Sequence, residues 1–295
     1  MAVAAVGIFD GVHNGHRKVI ETLVRTARER GDESLVITFR PHPRTVLQDG
    51  ADTLRLLTSF DEKKKILGDL GVDKVEVLPF TREFSAVKSS DFIRMLASEY
   101  SVSTLVLGYD TRMGADLSGP EALCSAAAKC GMETVVVGCD GSEGLSSTRI
   151  RRTLENGDVA AAAAMLGRPY SLFGVVVAGN RLGRTIGFPT ANMQMYDPLK
   201  LIPAGGVYAV EVETGGRELY GMTNIGHRPT LGSGNALTIE THIFDFDEQI
   251  YGLDLTIRFI GRIRDERPFP SLDALRVRLE ADEAECRKLI ANEKK

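Results

Sequence analysis

The chain has 295 residues, of which 43% are hydrophobic and 26% charged, and its formal net charge is -4. That length predicts two domains of ~150 residues each, and the composition is that of an ordinary globular protein. The negative balance excludes broad electrostatic binding of nucleic acid or an anionic membrane, while leaving room for a local basic pocket around a phosphorylated small molecule. No apolar run approaches the ~18 residues of a membrane span, and the start MAVAAVGIFDG lacks the positive segment of a signal peptide. Cys124, Cys130, Cys139 and Cys286 form no C-x-x-C pair. This predicts neither a zinc site nor a redox couple, but reduced thiols and a cytoplasmic location.

In chain order, AVAAVGIF reads as a buried strand and HRKVIETLVRTARERG as an amphipathic helix ending at Gly31. SLVITF is β-rich and is stopped by PHP. SFDEKKKILGDLG follows as a helix, KVEVLPF as a strand, and SSDFIRMLASEY as a helix capped near Ser90 or Asp91. STLVLG, PEALCSAAAKCG and ETVVVG continue the alternation of strand and helix. Such β-α alternation predicts a Rossmann-like parallel sheet wrapped by helices. After the Ala-rich helical stretch DVAAAAAMLG the pattern changes to short strands, namely FGVVVAGN, GVYAVEVET, LYGMTNIG, LTIETHIFDF and LDLTIRFIGRIRDE. Their even spacing and Gly, Pro and Asn turns predict an antiparallel β-barrel or sandwich. SLDALRVRLEADEAECRKLIANEKK closes the chain as a helix. The domains are therefore placed at 1–166 and 167–295.

Three stretches carry chemistry. GIFDGVHNGH, residues 7 to 16, stands where the first strand gives way to a helix, the place at which parallel sheets bind ligands. Its glycines let backbone approach a ligand, the helix start attracts phosphate, and His13 and His16 fall on one face if the turn is helical. Imidazoles so placed stabilise charge that builds during phosphoryl transfer. One histidine capping the helix while the other packs fits the same residues. GLSSTRIRR, residues 144 to 152, offers hydroxyls, a helix dipole and guanidinium forks for a polyphosphate, and reads equally as a helix cap at Ser147 or Thr148. GNRLGRTIGFPTAN, residues 179 to 192, brings Gly179, Gly183 and Gly187 to a loop able to pass close to phosphates. It adds Thr190 and Asn192, a hydroxyl and an amide of the kind that hold Mg²⁺. In LTIETHIF, alternation sets Glu240 and His242 on one strand face, and a carboxylate directed into a barrel mouth can accept a proton from a substrate hydroxyl. A solvated strand face explains that pattern as well.

GIFDGVHNGH together with LSSTRIR resembles the H-x-G-H nucleotidyltransferases, and the whole chain resembles the bacterial bifunctional riboflavin kinase/FAD synthetase (FMN adenylyltransferase) family. FRPHP, LPFTREFS and LVLGYDTRMG fall in the family's order in the first half. LGRPYSLFGVVVAGNRLGRTIGFPTAN, TNIGHRPT, IETHIFDF and IRDERPF do so in the second. The resemblance implies ATP-dependent phosphorylation of riboflavin to FMN in the second domain, with Glu240 as general base and Thr190 and Asn192 at a Mg²⁺–nucleotide site. It implies adenylylation of FMN to FAD, with release of pyrophosphate, in the first. There His13 and His16 are the implied catalytic residues. Gly7, Phe9, Asp10, Gly15, Ser147, Thr148 and Arg151 are the implied ATP contacts, matched by Gly179, Gly183, Gly187 and Pro189 in the second domain. Asp110 and Arg264 are the implied flavin contacts. Riboflavin, FMN, FAD and ATP are the implied partners, with no nucleic acid, membrane or obligate protein partner.

LVLGYDTRMG departs from the family's D-F-x-F-G pattern, with Thr111 and Met113 in the two aromatic places and Ala115 and Asp116 where basic residues usually follow. This implies FMN binding in the first domain that is weaker or differently arranged, with Met113 supplying an adaptable apolar surface. A riboflavin kinase with a weak or lost adenylyltransferase half is the alternative reading.

Overall fold

The computed structural model describes residues 1–47, 54–139, 144–179, 182–229 and 235–293. By their contacts they form two compact units, Met1–Ser147 and Thr148–Lys295.

The first unit is built on β1 (Ala2–Val6), β2 (Glu33–Arg40), β3 (Lys74–Pro79), β4 (Val102–Gly108) and β5 (Glu133–Val137), all parallel, in the spatial order β3-β2-β1-β4-β5. Helices cover both faces, which is why β1 is apolar at every position rather than alternating. Ala2 and Ala4 join a cluster with Leu35, Leu105 and Phe92, while Val3 and Ala5 join one with Val36, Val106 and the first helix. That helix, α1 (Asn14–Arg30), buries Ile20, Leu23, Val24 and Ala27, the spacing of one helical face. It ends where Gly31 turns left-handed, as the sequence indicates. Strand order reverses between β1 and β4, so the crevice at their carboxyl ends is where such a sheet receives a ligand.

The short helices α2 (Pro43–Leu47) and α4 (Arg82–Ser85) flank α3 (Phe60–Asp69), which opens on a capping box formed by Ser59 and Glu62. The next helix, α5 (Ser89–Glu99), starts one residue earlier than Ser90, and neither Ser90 nor Asp91 caps it. Instead the Asp116 carboxylate accepts from Ser89 N and Oγ at 2.9 and 2.8 Å, so the loop after β4 anchors the helix start. α6 (Pro120–Lys129) completes the unit's helices.

The second unit takes up α7 (Ser147–Glu155) from Thr148 onward, and α8 (Val159–Leu166), both of which meet the barrel that follows. Ala204 N donates to Leu154 O at 3.0 Å, and α8 packs on β11 (Asp254–Arg264). The compact units therefore part between Ser147 and Thr148, after the first residue of α7, whereas the change of sequence pattern comes after both helices. The remaining strands are β6 (Ser171–Val177), β7 (Ala191–Met195), β8 (Gly206–Thr214), β9 (Arg217–Pro229) and β10 (Asn235–Ile243). They close with β11 into an antiparallel barrel in the order β10-β7-β6-β11-β8-β9. β7, ANMQM, is the strand absent from the sequence-based reading, and a one-turn helix α9 (Leu182–Thr185) precedes it.

Inside the barrel lie Tyr208, Val210, Ile225, Ile239, Ile257 and Phe259, all at most 3% exposed. The opposite face carries Val207, Ala209 and Met222, onto which the terminal helix α10 (Leu272–Glu293) lays Cys286 and Ile290. Burial pushes the Cys286 thiol up to about 12, assisted by Asp282, so it is inert apolar packing. One arginine of β11 fastens the helix to the barrel, and a second, on the helix itself, braces the same carboxylate. Asp282, fully buried, meets Arg264 at 2.7 Å and Arg278 at 2.7 Å. All four cysteines are free thiols, and no helix among the described residues is long and apolar enough to cross a membrane.

Asp282→Asn leaves two guanidinium groups around a neutral amide. It is expected to destabilise the second unit by about 3–5 kcal/mol, read from urea denaturation followed by far-UV circular dichroism.

Candidate functional site

In the first unit the site grows from the turn between β1 and α1. Phe9, Gly11 and Val12 all have positive φ, at 48°, 83° and 39°. Two of these three are not glycine, and such backbone persists only where its surroundings hold it. The holder is the segment leading into α3. Asp10, 5% exposed, accepts from Leu57 N at 3.0 Å and from Thr58 N at 3.2 Å, and Gly11 N donates to Thr58 Oγ1 at 3.1 Å. Asp10 is therefore engaged as a clamp on the protein's own backbone, a different use from the ATP contact that the resemblance implies. Gly7 and Phe9 are likewise a packing pair. A Cβ on Gly7 would stand 3.0 to 3.2 Å from the Phe9 ring, which in turn packs edge-on against His16 at 5.3 Å.

His13 and His16 are brought together, and each is more than a bystander. His13 is the N-cap of α1, its Nδ1 accepting from His16 N at 3.3 Å. With Nδ1 accepting, a neutral His13 carries its proton on Nε2, which is then a donor. The two rings stack at 3.6 Å and 16°. The capping and the phosphate-facing roles are thus compatible on one residue. Burial, then His13, then the Lys63 ammonium hold the His16 imidazole well below its ordinary value, so it is neutral. Its Nδ1 is buried without a hydrogen-bond partner among the described residues. Gly15 lies against the His13 ring, where a Cβ would come to 3.3 Å.

Ser147, the last residue of the first unit, donates through Oγ to the Asp10 carbonyl at 2.9 Å. Thr148 and Arg151 follow it on α7. Asp110 sits just beyond β4, where the side chains of Asp110 and Thr111 come within 3.3 and 3.4 Å of a Cβ position on Gly108. Met113, by contrast, is 7% exposed and belongs to the sheet cluster with Leu107 and Phe92. It fills the core and offers no adaptable surface to a ligand, because the loop folds it under the Asp116–Ser89 anchor. Ser89 and Ser118 hold the Asp116 carboxyl down at about 2.

The second unit owes its site to barrel register. Asn192 pairs with Glu240, Glu240 with Asn224, Asn224 with Val207 and Val207 with Arg264. Residues directly opposite in a ladder share a face, so one row across five strands presents Asn192, Glu240, Asn224 and Arg264 together. That face is the outer one. Ile239 and Thr241 take the interior, where Thr241 and Thr223 hydroxyls meet at 2.8 Å. Glu240 is accordingly directed away from the barrel interior, because six strands enclose only enough space for side chains. It lines a cleft of about 550 Å³ with Thr190, Asn224, Arg264, Phe269 and Leu275, walled by α10. A cleft of that size and apolar lining suits a small aromatic ligand.

Thr190 Oγ1 donates to Glu240 Oε2 at 3.3 Å. A Cβ on Gly179 would fall 2.2 Å from Asn192 Nδ2, so glycine lets that loop rest on the Asn192 amide without displacing it. Gly183 backs onto Phe188 O, and Gly187 adopts φ 85°. The Pro189 carbonyl accepts from His242 Nδ1 at 2.8 Å, an internal bond rather than a ligand contact. Arg264 is fixed by Asp282 and lies 5.5 Å over the Phe269 ring at the cleft. Among the described residues no group of three His, Cys, Asp or Glu forms a metal centre. Thr190, Asn192 and Glu240 are instead hard oxygen donors, the set that suits Mg²⁺ shared with phosphates and water.

Sequence reasoning missed Lys63, Thr58, Asn224 and Asp282. Lys63 had a signal, since it stands four before buried Leu67 on the helix, and the others become visible only through tertiary pairing.

A family model described as FAD synthetase matches residues 1–149, and one described as riboflavin kinase matches 166–290. The bifunctional riboflavin kinase/FMN adenylyltransferase of Bacillus subtilis is 36% identical, with 100% of this chain and 94% of the relative covered. That of Escherichia coli is 36% identical, covering 98% and 92%. A Streptococcus pneumoniae crystal structure described as a macrolide-efflux protein superposes with TM-score 0.89 and 32% identity, covering 97% of this chain and 93% of the other. The chain belongs to the bifunctional riboflavin kinase/FMN adenylyltransferase family.

Proposed function

We propose that the second unit transfers the γ-phosphoryl group of ATP to riboflavin, giving FMN and ADP, and that the first joins FMN to a second ATP, giving FAD and pyrophosphate. The two activities are assigned to residues 167–295 and 1–166. The observation that carries the reading is the register row that pairs Asn192 with Glu240, which lines the cleft beside Thr190, in a chain matched over its whole length by bifunctional relatives.

In the kinase reaction the riboflavin 5′-hydroxyl attacks the γ-phosphorus and the ADP oxygen leaves. Glu240 accepts the hydroxyl proton, and Thr190 orients the carboxylate through its 3.3 Å bond. Gly179, Gly183 and Gly187 bring loop backbone close to the phosphates. Thr190 and Asn192 would hold Mg²⁺, which neutralises phosphate charge when bound. Arg264, immobilised by Asp282, borders the flavin with Phe269. In the adenylyl reaction a phosphate oxygen of FMN attacks the α-phosphorus and pyrophosphate leaves. His13 and His16 donate to the phosphoryl oxygens, His16 as a neutral imidazole, and Ser147, Thr148 and Arg151 hold the departing phosphates. Asp110 contacts the flavin. ATP as the common substrate supports a cytoplasmic place of work.

Glu240→Gln is expected to slow FMN formation by about 10²–10⁴-fold. FAD formation from supplied FMN should stay near the wild-type rate, and chromatography of riboflavin, FMN and FAD separates the two. His13→Ala should do the reverse, halting the chain at FMN with a loss of about 10²-fold or more in FAD formation.

His16 is held below its ordinary 6.5, so it stays neutral as pH falls through that value and gains a proton only in more acid solution. The acid limb of FAD formation is therefore expected below pH 6.5, measured with FMN and ATP saturating. A limb at or above 6.5 would contradict a neutral His16.

A further inference from the structure

Lys63 is the one cation of α3 on the buried side of the helix, 8% exposed, and among the described residues its ammonium has two hydrogen-bond acceptors. They are Ile8 O at 3.0 Å and Thr38 Oγ1 at 3.2 Å, and Thr38 Oγ1 itself donates to Ile8 O at 3.3 Å. Both partners are neutral oxygens, so the charge is desolvated without a directly bonded carboxylate. A methionine would fill the same place beside Leu67 at no such cost. What the charge reaches is the β1–α1 turn. Ile8 is the residue before strained Phe9, and His13 and His16 stand at the other end of the turn.

Resting on the adenylyl-transfer reading of the first unit, we infer that Lys63 is a positioning residue for that reaction: its buried ammonium pins the Ile8 carbonyl and so holds the turn that carries His13 and His16. Two consequences follow from its placement. The turn keeps the geometry that stacks His13 on His16, and His16 is discouraged from protonating beside a second cation. The charged or titratable groups around His16 are His13 on the same turn, Lys63 from α3 and, next to Lys63, Asp10. Arg40 shares the Phe60 ring with Lys63, at 5.7 and 6.0 Å.

Lys63→Met tests this in the full chain, with riboflavin phosphorylation as the internal control. FAD formation is expected to fall about 100-fold, with FMN formation unchanged and the acid limb of FAD formation moved to higher pH. Lys63→Arg should restore most of the rate and the original limb. A readout independent of turnover is the histidine ring NMR titration, tractable with five histidines in the chain. The His16 signal should titrate at higher pH in Lys63→Met than in wild type. A rate within about threefold of wild type together with an unmoved His16 titration overturns the inference. So does a lost rate with an unmoved titration and limb, which is what mere destabilisation gives. If Lys63→Met does not fold, Thr38→Val removes one partner of the ammonium without removing the charge. It should lower FAD formation severalfold at unchanged FMN formation, and no loss overturns the inference. Wild-type chain that makes FMN but never FAD defeats the adenylyl-transfer reading itself, a failure the titration distinguishes from that of Lys63.

Discussion

The first unit depends on one constraint, a strand-to-helix turn whose backbone no isolated peptide would keep. Non-glycine residues at positive φ cost on the order of 1–3 kcal/mol each, and the turn has two, Phe9 and Val12. Bonds from an ionised carboxylate to backbone N–H groups contribute about 1.5–3 kcal/mol, and Asp10 accepts two of them from residues 57 and 58. The strain is thus offset from another part of the sequence, through the capped start of α3. Everything functional in the unit is hung on the result. His13 can cap α1 and stack on His16 only where the turn delivers it, and Ser147 bonds the Asp10 carbonyl of the same turn.

The second unit answers to closure rather than strain. Asn192, Glu240, Asn224 and Arg264 come from four strands far apart in sequence, and nothing local holds them in line. A slip of one residue in β10 would send Glu240 into the apolar interior and Ile239 into the cleft. Closure forbids the slip, because all six strands have two partners and the interior is already filled by Ile239, Tyr208 and Phe259. The Asp282 carboxylate extends the same order to α10, so the helix that walls the cleft is registered against the strand that carries Arg264.

This difference explains what was legible in the sequence. Apolar periodicity and glycine punctuation reveal the parallel sheet, the barrel strands and the closing helix, since those signals are local. β7 stayed hidden because ANMQM alternates apolar residues with amides, and it carries Asn192 at its second position. The histidine pair was legible as a motif, and its capping and stacking geometry agree with both uses that the motif suggests. Asp10 was legible as a residue but not in its role, since its partners lie 47 positions away. Glu240 and His242 were correctly set on one strand face, yet whether that face looks inward or outward depends on which residues fill the barrel. Met113 shows the same limit from the other side. The sequence marks it as a departure from the family, and only the loop's anchor on Ser89 makes it core.

The two carboxylates also differ for a chemical reason. On the proposed reactions, the kinase nucleophile is an alcohol, which must lose a proton as it attacks, so a carboxylate has to stand half-buried at the cleft beside Thr190. The adenylyl nucleophile is a phosphate monoester, whose second pKa of about 6 leaves it ionised at neutral pH. No base is required there. Asp10 is therefore available to be consumed by backbone N–H groups, and what the turn presents instead is two imidazoles, with a buried ammonium bonded to the carbonyl at its start. An acidic group engaged in structure at one centre and exposed to substrate at the other follows from which nucleophile arrives already charged.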